Sequence, residues 1–74
     1  MPGLPNCTGK EAVKALKNLG YRVVSQNGSH VRLKLSDHAT LTVPVHHGKD
    51  LAPGTLRAII RRSEFSVEEF SDAL

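Results

Sequence analysis

Apolar residues recur along this chain in two periods, and the changes of period mark its elements. Ala12, Val13, Leu16 and Leu19 stand at helical spacing, with Lys10, Lys14 and Lys17 as a separate stripe at i, i+4 and i+7. Thr8-Gly9-Lys10-Glu11 has the spacing of a capping box, so the helix should begin at about residue 9. Gly20 suits the left-handed position that closes it. Residues 21–26 turn β-rich. Beyond them Val31, Leu33 and Leu35 alternate with His30, Arg32 and Lys34, the period of a half-buried strand. Between these runs lies Asn27-Gly28, a dipeptide favoured in two-residue hairpin turns because both residues tolerate positive φ.

The second half repeats this alternation of signals. Residues 36–39 read as a turn, and residues 40–45 as a third strand with Leu41, Val43 and Val45 on one face. Pro44 has no amide donor, which places that strand at a sheet edge or ends it. After a loop over residues 46–50, Pro53 suits the first turn of a helix with Leu56, Ile59 and Ile60 inward and Arg57 and Arg61 outward. Ser66-Val67-Glu68-Glu69 repeats the capping box, with Phe65 and Phe70 placed as a hydrophobic staple, and predicts a short closing helix. The order is helix, three-stranded antiparallel meander, helix and short C-terminal helix. Both main helices must bury one face on the same side of the sheet. That is an α+β fold of the double-stranded-RNA-binding-domain type, and a 74-residue chain has room for one such domain over residues 1–74.

Charge changes the picture from fold to partner. Residues 1–62 hold all ten Lys and Arg against Glu11, Asp37 and Asp50, a net +7, whereas the last twelve residues carry only Glu64, Glu68, Glu69 and Asp72. A basic body with an acidic tail points to an anionic partner. The aromatics are Tyr21, Phe65 and Phe70, too few for base-stacking platforms, so phosphates and shape should dominate any contact with nucleic acid. The single cysteine, Cys7, forbids an internal disulfide and reads as incidental in an irregular lead-in. Its solitude favours a reducing cytoplasm. No apolar run approaches a membrane span, and the first residues lack the pattern of a signal peptide, so no membrane partner is expected.

Several stretches form an ordered set: Gly9-Lys10-Glu11, Gly20-Tyr21, Gly28-Ser29-His30, Val43-Pro44-Val45-His46, and the run from Gly48-Lys49-Asp50-Leu51 through Ala52-Pro53-Gly54-Thr55-Leu56-Arg57. A lone Gly-Ser-His is common, but this succession is not, and from about residue 8 onward the chain resembles the HicA toxin family. The resemblance implies a translation-independent mRNA-cleaving toxin (an mRNA interferase) that needs no cofactor. It also implies neutralisation by a HicB-type antitoxin in a hetero-oligomer, the free toxin being a monomer. The family's catalytic histidine falls on His30. His47 departs from the pattern, where a proline or other small residue is expected, and leaves the His46-His47 pair without an assigned role.

The residues are compatible with that chemistry. Metal-independent RNA cleavage needs a base for the ribose 2′-OH, donors for the charge on phosphorus and an acid for the leaving oxygen, and histidine as a residue type serves either proton role near neutral pH. His30 follows a turn and should project into solvent, with Arg32 and Lys34 on its face at steps of about 7 Å. RNA contacts are expected from Lys10, Lys14, Gly28, Ser29, Arg32, Lys34 and Lys49. Gly28 can serve both as a turn residue and as an open approach for an RNA backbone. Lys49 stands near a helix start that offers free amides. Lys10, Lys14 and Lys17 equally suit a solvated helix face. Ser29 and His30 point to opposite faces, which disfavours a Ser-His nucleophile pair. The four histidines have no metal-ligand spacing, so no metal site is expected. On residues alone His30 can also be a plain surface histidine, which leaves open a non-catalytic RNA-binding module or a domain acting through a protein partner.

Overall fold

A computed structural model of the chain describes residues 3–74. Its elements are α1 (Gly9–Asn18), β1 (Arg22–Asn27), β2 (His30–Lys34), β3 (Leu41–Pro44), α2 (Pro53–Ser63) and α3 (Val67–Ala73). The strands form one antiparallel meander in the order β1-β2-β3, followed by the two further helices, a small α+β fold of the double-stranded-RNA-binding type.

Local chemistry sets the helix ends. At α1 the Thr8 hydroxyl accepts from the Glu11 amide at 3.1 Å while the Glu11 carboxylate accepts from the Thr8 amide at 2.9 Å, the reciprocal pairing of a capping box. The helix closes at Gly20, whose φ of 109° lets its amide reach the Lys17 carbonyl and the Tyr21 amide reach that of Leu16. Ser66 and Glu69 repeat the box at α3. Helix α2 starts on Pro53 behind Ala52, which supplies no side-chain cap.

Alternation in the strands then divides buried from open. Val31, Leu33, Leu41 and Val43 are buried against Ala12, Ala15, Leu16, Leu56, Ile59, Ile60 and Phe70 in one apolar cluster. Cys7 belongs to this cluster, only 2% exposed, so the expectation that it is incidental is corrected: the lead-in folds back, and the Cys7 carbonyl accepts from the Leu51 amide. Burial pushes the Cys7 thiol above its ordinary range, and the nearby Glu11 and Asp50 carboxylates add to the rise.

Strand β3 is an edge, and its proline shows why it can be. The Val45 amide donates to the Ser29 carbonyl, so by alternation Leu41, Val43 and Val45 direct their backbone groups at β2. Thr42 and Pro44 direct theirs outward, and the missing amide of Pro44 costs the ladder nothing. The start of α1 closes this end of the edge. Gly9 is buried there, and a Cβ on it would overlap the Pro44 carbonyl oxygen and lie 2.8 Å from the Val45 Cα, backbone atoms that cannot swing aside.

At the other end of the sheet, the Ser63 carbonyl ties the β2–β3 turn to the end of α2. It accepts from the Tyr21 hydroxyl at 3.4 Å and sits 2.9 Å from His38 Nδ1, which must carry its proton to make that bond. The His38 ring stacks on Phe65, with centroids 5.7 Å apart.

Gly9→Ala is expected to destabilise the protein by about 1–3 kcal/mol in urea unfolding, the usual range for overpacking against rigid neighbours. The Cys7 thiol is expected to resist iodoacetamide at neutral pH in the folded protein and to react at the ordinary rate once urea unfolds it. Because its pKa is raised on folding, Cys7 supports stability below its unfolded value of 9.0, and that support fades as pH rises through the folded value.

Candidate functional site

The hairpin that carries His30 is built on a different residue pair from the one expected. Asn27 pairs directly with His30, so the central turn residues are Gly28 and Ser29, and of the two only Gly28 has positive φ, at 60°. This is the sign pattern of a type II′ turn, which asks for glycine at its first central position. Asn27 is therefore the last residue of β1, and the Asn27-Gly28 reading is corrected by one position.

One extra residue in β1 then decides what shares the face of His30. The register runs Asn27 with His30, Gln26 with Val31 and Ser25 with Arg32, then slips at a bulge so that Val23 meets Leu33 and Arg22 meets Lys34. Without Val24 as the unpaired residue, Arg22 would fall opposite Leu35, on the face of the buried aliphatics. With it, the open face presents His30, Arg32 and Lys34 in a row, Arg22 beside Lys34, and Asn27, Ser25, Thr42 and Pro44 as cross-strand neighbours. Sequence reading missed Arg22, since a bulge at Val24, between Val23 and Ser25, leaves no local signal.

The electrostatics of this face are one-sided. His30, Arg32 and Arg22 are exposed. Among the described residues the sole contact of ion-pair length is between His38 Nδ1 and Glu64, at 3.6 Å, so Arg22, Arg32 and Lys34 are not neutralised by carboxylates there. Lys34 is half-buried and donates to the His38 carbonyl at 2.7 Å, which holds its ammonium over the β2–β3 turn instead of at a regular step along the strand. His38 is thus a structural imidazole, whereas His30 stands on the open face.

The other expected contacts divide between two places. Gly28 and Ser29 form the turn next to His30. The loop over residues 46–50 follows directly from Val45, which is bonded to Ser29, so the backbone of His46 emerges beside the hairpin end, with exposed Lys49 three residues on. Lys10 and Lys14 lie elsewhere, on the helical layer. There, with Lys17, Val13 and Asn18, they line a shallow depression of about 450 Å³. Among the described residues no three His, Cys, Asp or Glu side chains gather as a metal-binding group.

The family model described as the HicA toxin of bacterial toxin-antitoxin matches residues 9–65 of the 74-residue chain. The chain belongs to the HicA toxin family. The matched span runs from the glycine packed on Pro44 through both strand pairs and α2, so the family assignment covers the hairpin, the bulged strand and the loop after β3. It makes this chain the toxin half of a toxin–antitoxin pair. Comparison with curated proteins gives no match. Among the described residues no helix is long and apolar enough to cross a membrane.

Replacing Gly28 by Ala is expected to cost about 1–2 kcal/mol, because a side chain strains the positive φ of that turn. Asn27→Ala, at an ordinary strand position, is expected to cost well under half as much. Thermal unfolding of the two variants checks the turn assignment.

Proposed function

We propose that this HicA family member is a metal-independent, translation-independent endoribonuclease that cleaves mRNA on the open face of its sheet, with His30 as the catalytic residue. The observation that carries the reading is the pairing of an exposed imidazole at the end of a two-residue hairpin with a cationic face on which, among the described residues, no carboxylate lies within ion-pair reach.

On this reading an RNA strand lies across β2. Its phosphates meet Arg32, Lys34 and Arg22, while Gly28 and Ser29 allow the backbone to approach the turn. His30 takes the proton of a ribose 2′-OH, and the oxygen attacks the adjacent phosphorus. The bond to the 5′-oxygen breaks, and that oxygen collects a proton from the imidazolium or from water. The products carry a 2′,3′-cyclic phosphate and a free 5′-hydroxyl. A guanidinium such as that of Arg32 contributes most where charge builds on the phosphoryl oxygens. Lys49 lies in the loop beside the hairpin and extends the cationic surface, and Lys10 and Lys14 contact RNA only where it bends round to the helical layer. A HicB-type antitoxin would neutralise the toxin in the cytoplasm by covering the His30 face.

Cleavage of a defined single-stranded RNA in EDTA tests this reading. His30→Ala is expected to lower the rate by about 100-fold or more with an unchanged circular dichroism spectrum. Arg32→Ala is expected to weaken RNA binding about tenfold at low salt and to flatten its salt dependence. A His30→Ala protein that cuts at the wild-type rate removes the catalytic assignment.

A further inference from the structure

Beside the sheet lies a groove that the RNA reading leaves unused. It runs between the outer edge of β3 and α2, has a volume of about 530 Å³, and is lined by Thr40, Leu41, Thr42, Gly54, Thr55 and Ala58, with Ile59 and Arg62 completing it. Its strand wall offers hydrogen bonds. Thr42 sits opposite Arg32, a position whose amide and carbonyl point away from β2. Its helix wall is low, because Gly54 and Ala58 carry little or no side chain where α2 passes the strand. Arg62 stands at one end, with its guanidinium 3.4 Å from the Thr40 carbonyl.

We propose that this groove takes an extended acidic polypeptide segment that pairs with β3 at Thr42, the outward position left open between the Thr40 carbonyl held by Arg62 and the Pro44 end covered by α1. A groove between a strand edge and a helix is the geometry in which peptides are bound by strand addition, main-chain bonds supplying affinity and alternate side chains specificity. The alternation needed here follows from the two sides of the sheet. Side chains turned toward α2 meet Gly54, Ala58 and Ile59, so they should be apolar. Those turned the other way join the face of Arg32, Lys34, Arg22 and His30, which favours acidic ones. A second copy of this basic chain would bring like charges together on that face, so the partner is a polypeptide of opposite sign. Seated there, the added segment lies about 10 Å from β2, two strand spacings away, with its acidic side chains level with Arg32, the residue opposite Thr42. The inference stands independently of whether His30 cuts RNA.

The test uses ¹⁵N-labelled protein and three probes: a capped octapeptide of alternating valine and glutamate, its lysine counterpart, and an oligouridine of the same length. The acidic peptide is expected to shift the amides of Thr40, Thr42, Thr55 and Ala58 and to slow exchange of the Thr42 amide. The lysine peptide should bind about tenfold more weakly. Thr42→Pro removes the outward amide at a position where, as at Pro44, the ladder does not use it, and should weaken binding about tenfold. Ala58→Arg fills the groove from an exposed helix position and should abolish binding. The proposal is overturned if the acidic peptide leaves these amides unmoved, if the lysine peptide binds equally well, or if both variants bind like wild type. It is also overturned if these amides shift with protein concentration alone, which marks self-pairing, or if oligouridine and not the peptide moves them, which marks a nucleic-acid site.

Discussion

Everything on the open face of the sheet depends on the register of one hairpin. Glycine at position 28 accepts a backbone conformation that a side chain would strain, the turn closes in two residues, and Asn27 is forced opposite His30. Side chains in a strand alternate with a period of two, so this one constraint decides the orientation of every residue in β2. Val31 and Leu33 are sent into the core, and His30, Arg32 and Lys34 to the open side. A slip by one residue would bury the imidazole and the cations and expose the aliphatics. The bulge at Val24 applies the same logic in reverse to β1, carrying Arg22 onto the open face while Val23 falls in line with Leu33.

Because the chain is small, its stability depends on satisfying backbone groups at element ends as well as on burial. Two capping boxes, the glycine closure of α1 and the Ser63 carbonyl shared by Tyr21 and His38 do this work, each contributing on the order of 1 kcal/mol. These devices lie in the helical layer and at the end of the sheet where β2 turns into β3. The open face carries little of this structural duty: apart from Lys34, held by the His38 carbonyl, its cations have no carboxylate within ion-pair reach among the described residues.

The parts of the fold legible in the sequence are those with local causes. Thr8 and Glu11, Gly20, Pro53, and Ser66 with Glu69 sit within a few residues of the groups they serve, and the structure shows each in the role expected. The alternation in β2 likewise identified its buried and open sides. What the sequence hid was set by contacts between distant segments. Cys7 is buried because the lead-in folds back into the core, its carbonyl bonded to the Leu51 amide 44 positions away. Gly9 must lack a side chain because Pro44 lies against it, 35 positions away. Lys34 was expected to be free but is held by a carbonyl whose place depends on the following turn. The turn itself was misread by one position because Asn27-Gly28 and Gly28-Ser29 both suit two-residue hairpins, and only the pairing of the strands separates them. The family resemblance in the sequence rested on an ordered set of short motifs, and the structure gives several of them a physical reason: a glycine against an edge strand, a turn glycine, a proline with its nitrogen turned outward.

Two surfaces of this basic chain compete as the place where RNA would lie: the open sheet face with His30, Arg32 and Arg22, and the lysine stripe of α1. The most direct measurement is chemical-shift mapping of the ¹⁵N-labelled protein with a 2′-O-methylated RNA, which lacks the attacking hydroxyl and so stays intact. The largest shifts are expected on Arg22, His30, Arg32 and the turn at Gly28 and Ser29, and they should collapse at high salt. Shifts confined to Lys10, Lys14 and Lys17, with the sheet face unmoved, would place the RNA on the helical layer and remove the sheet face as its site.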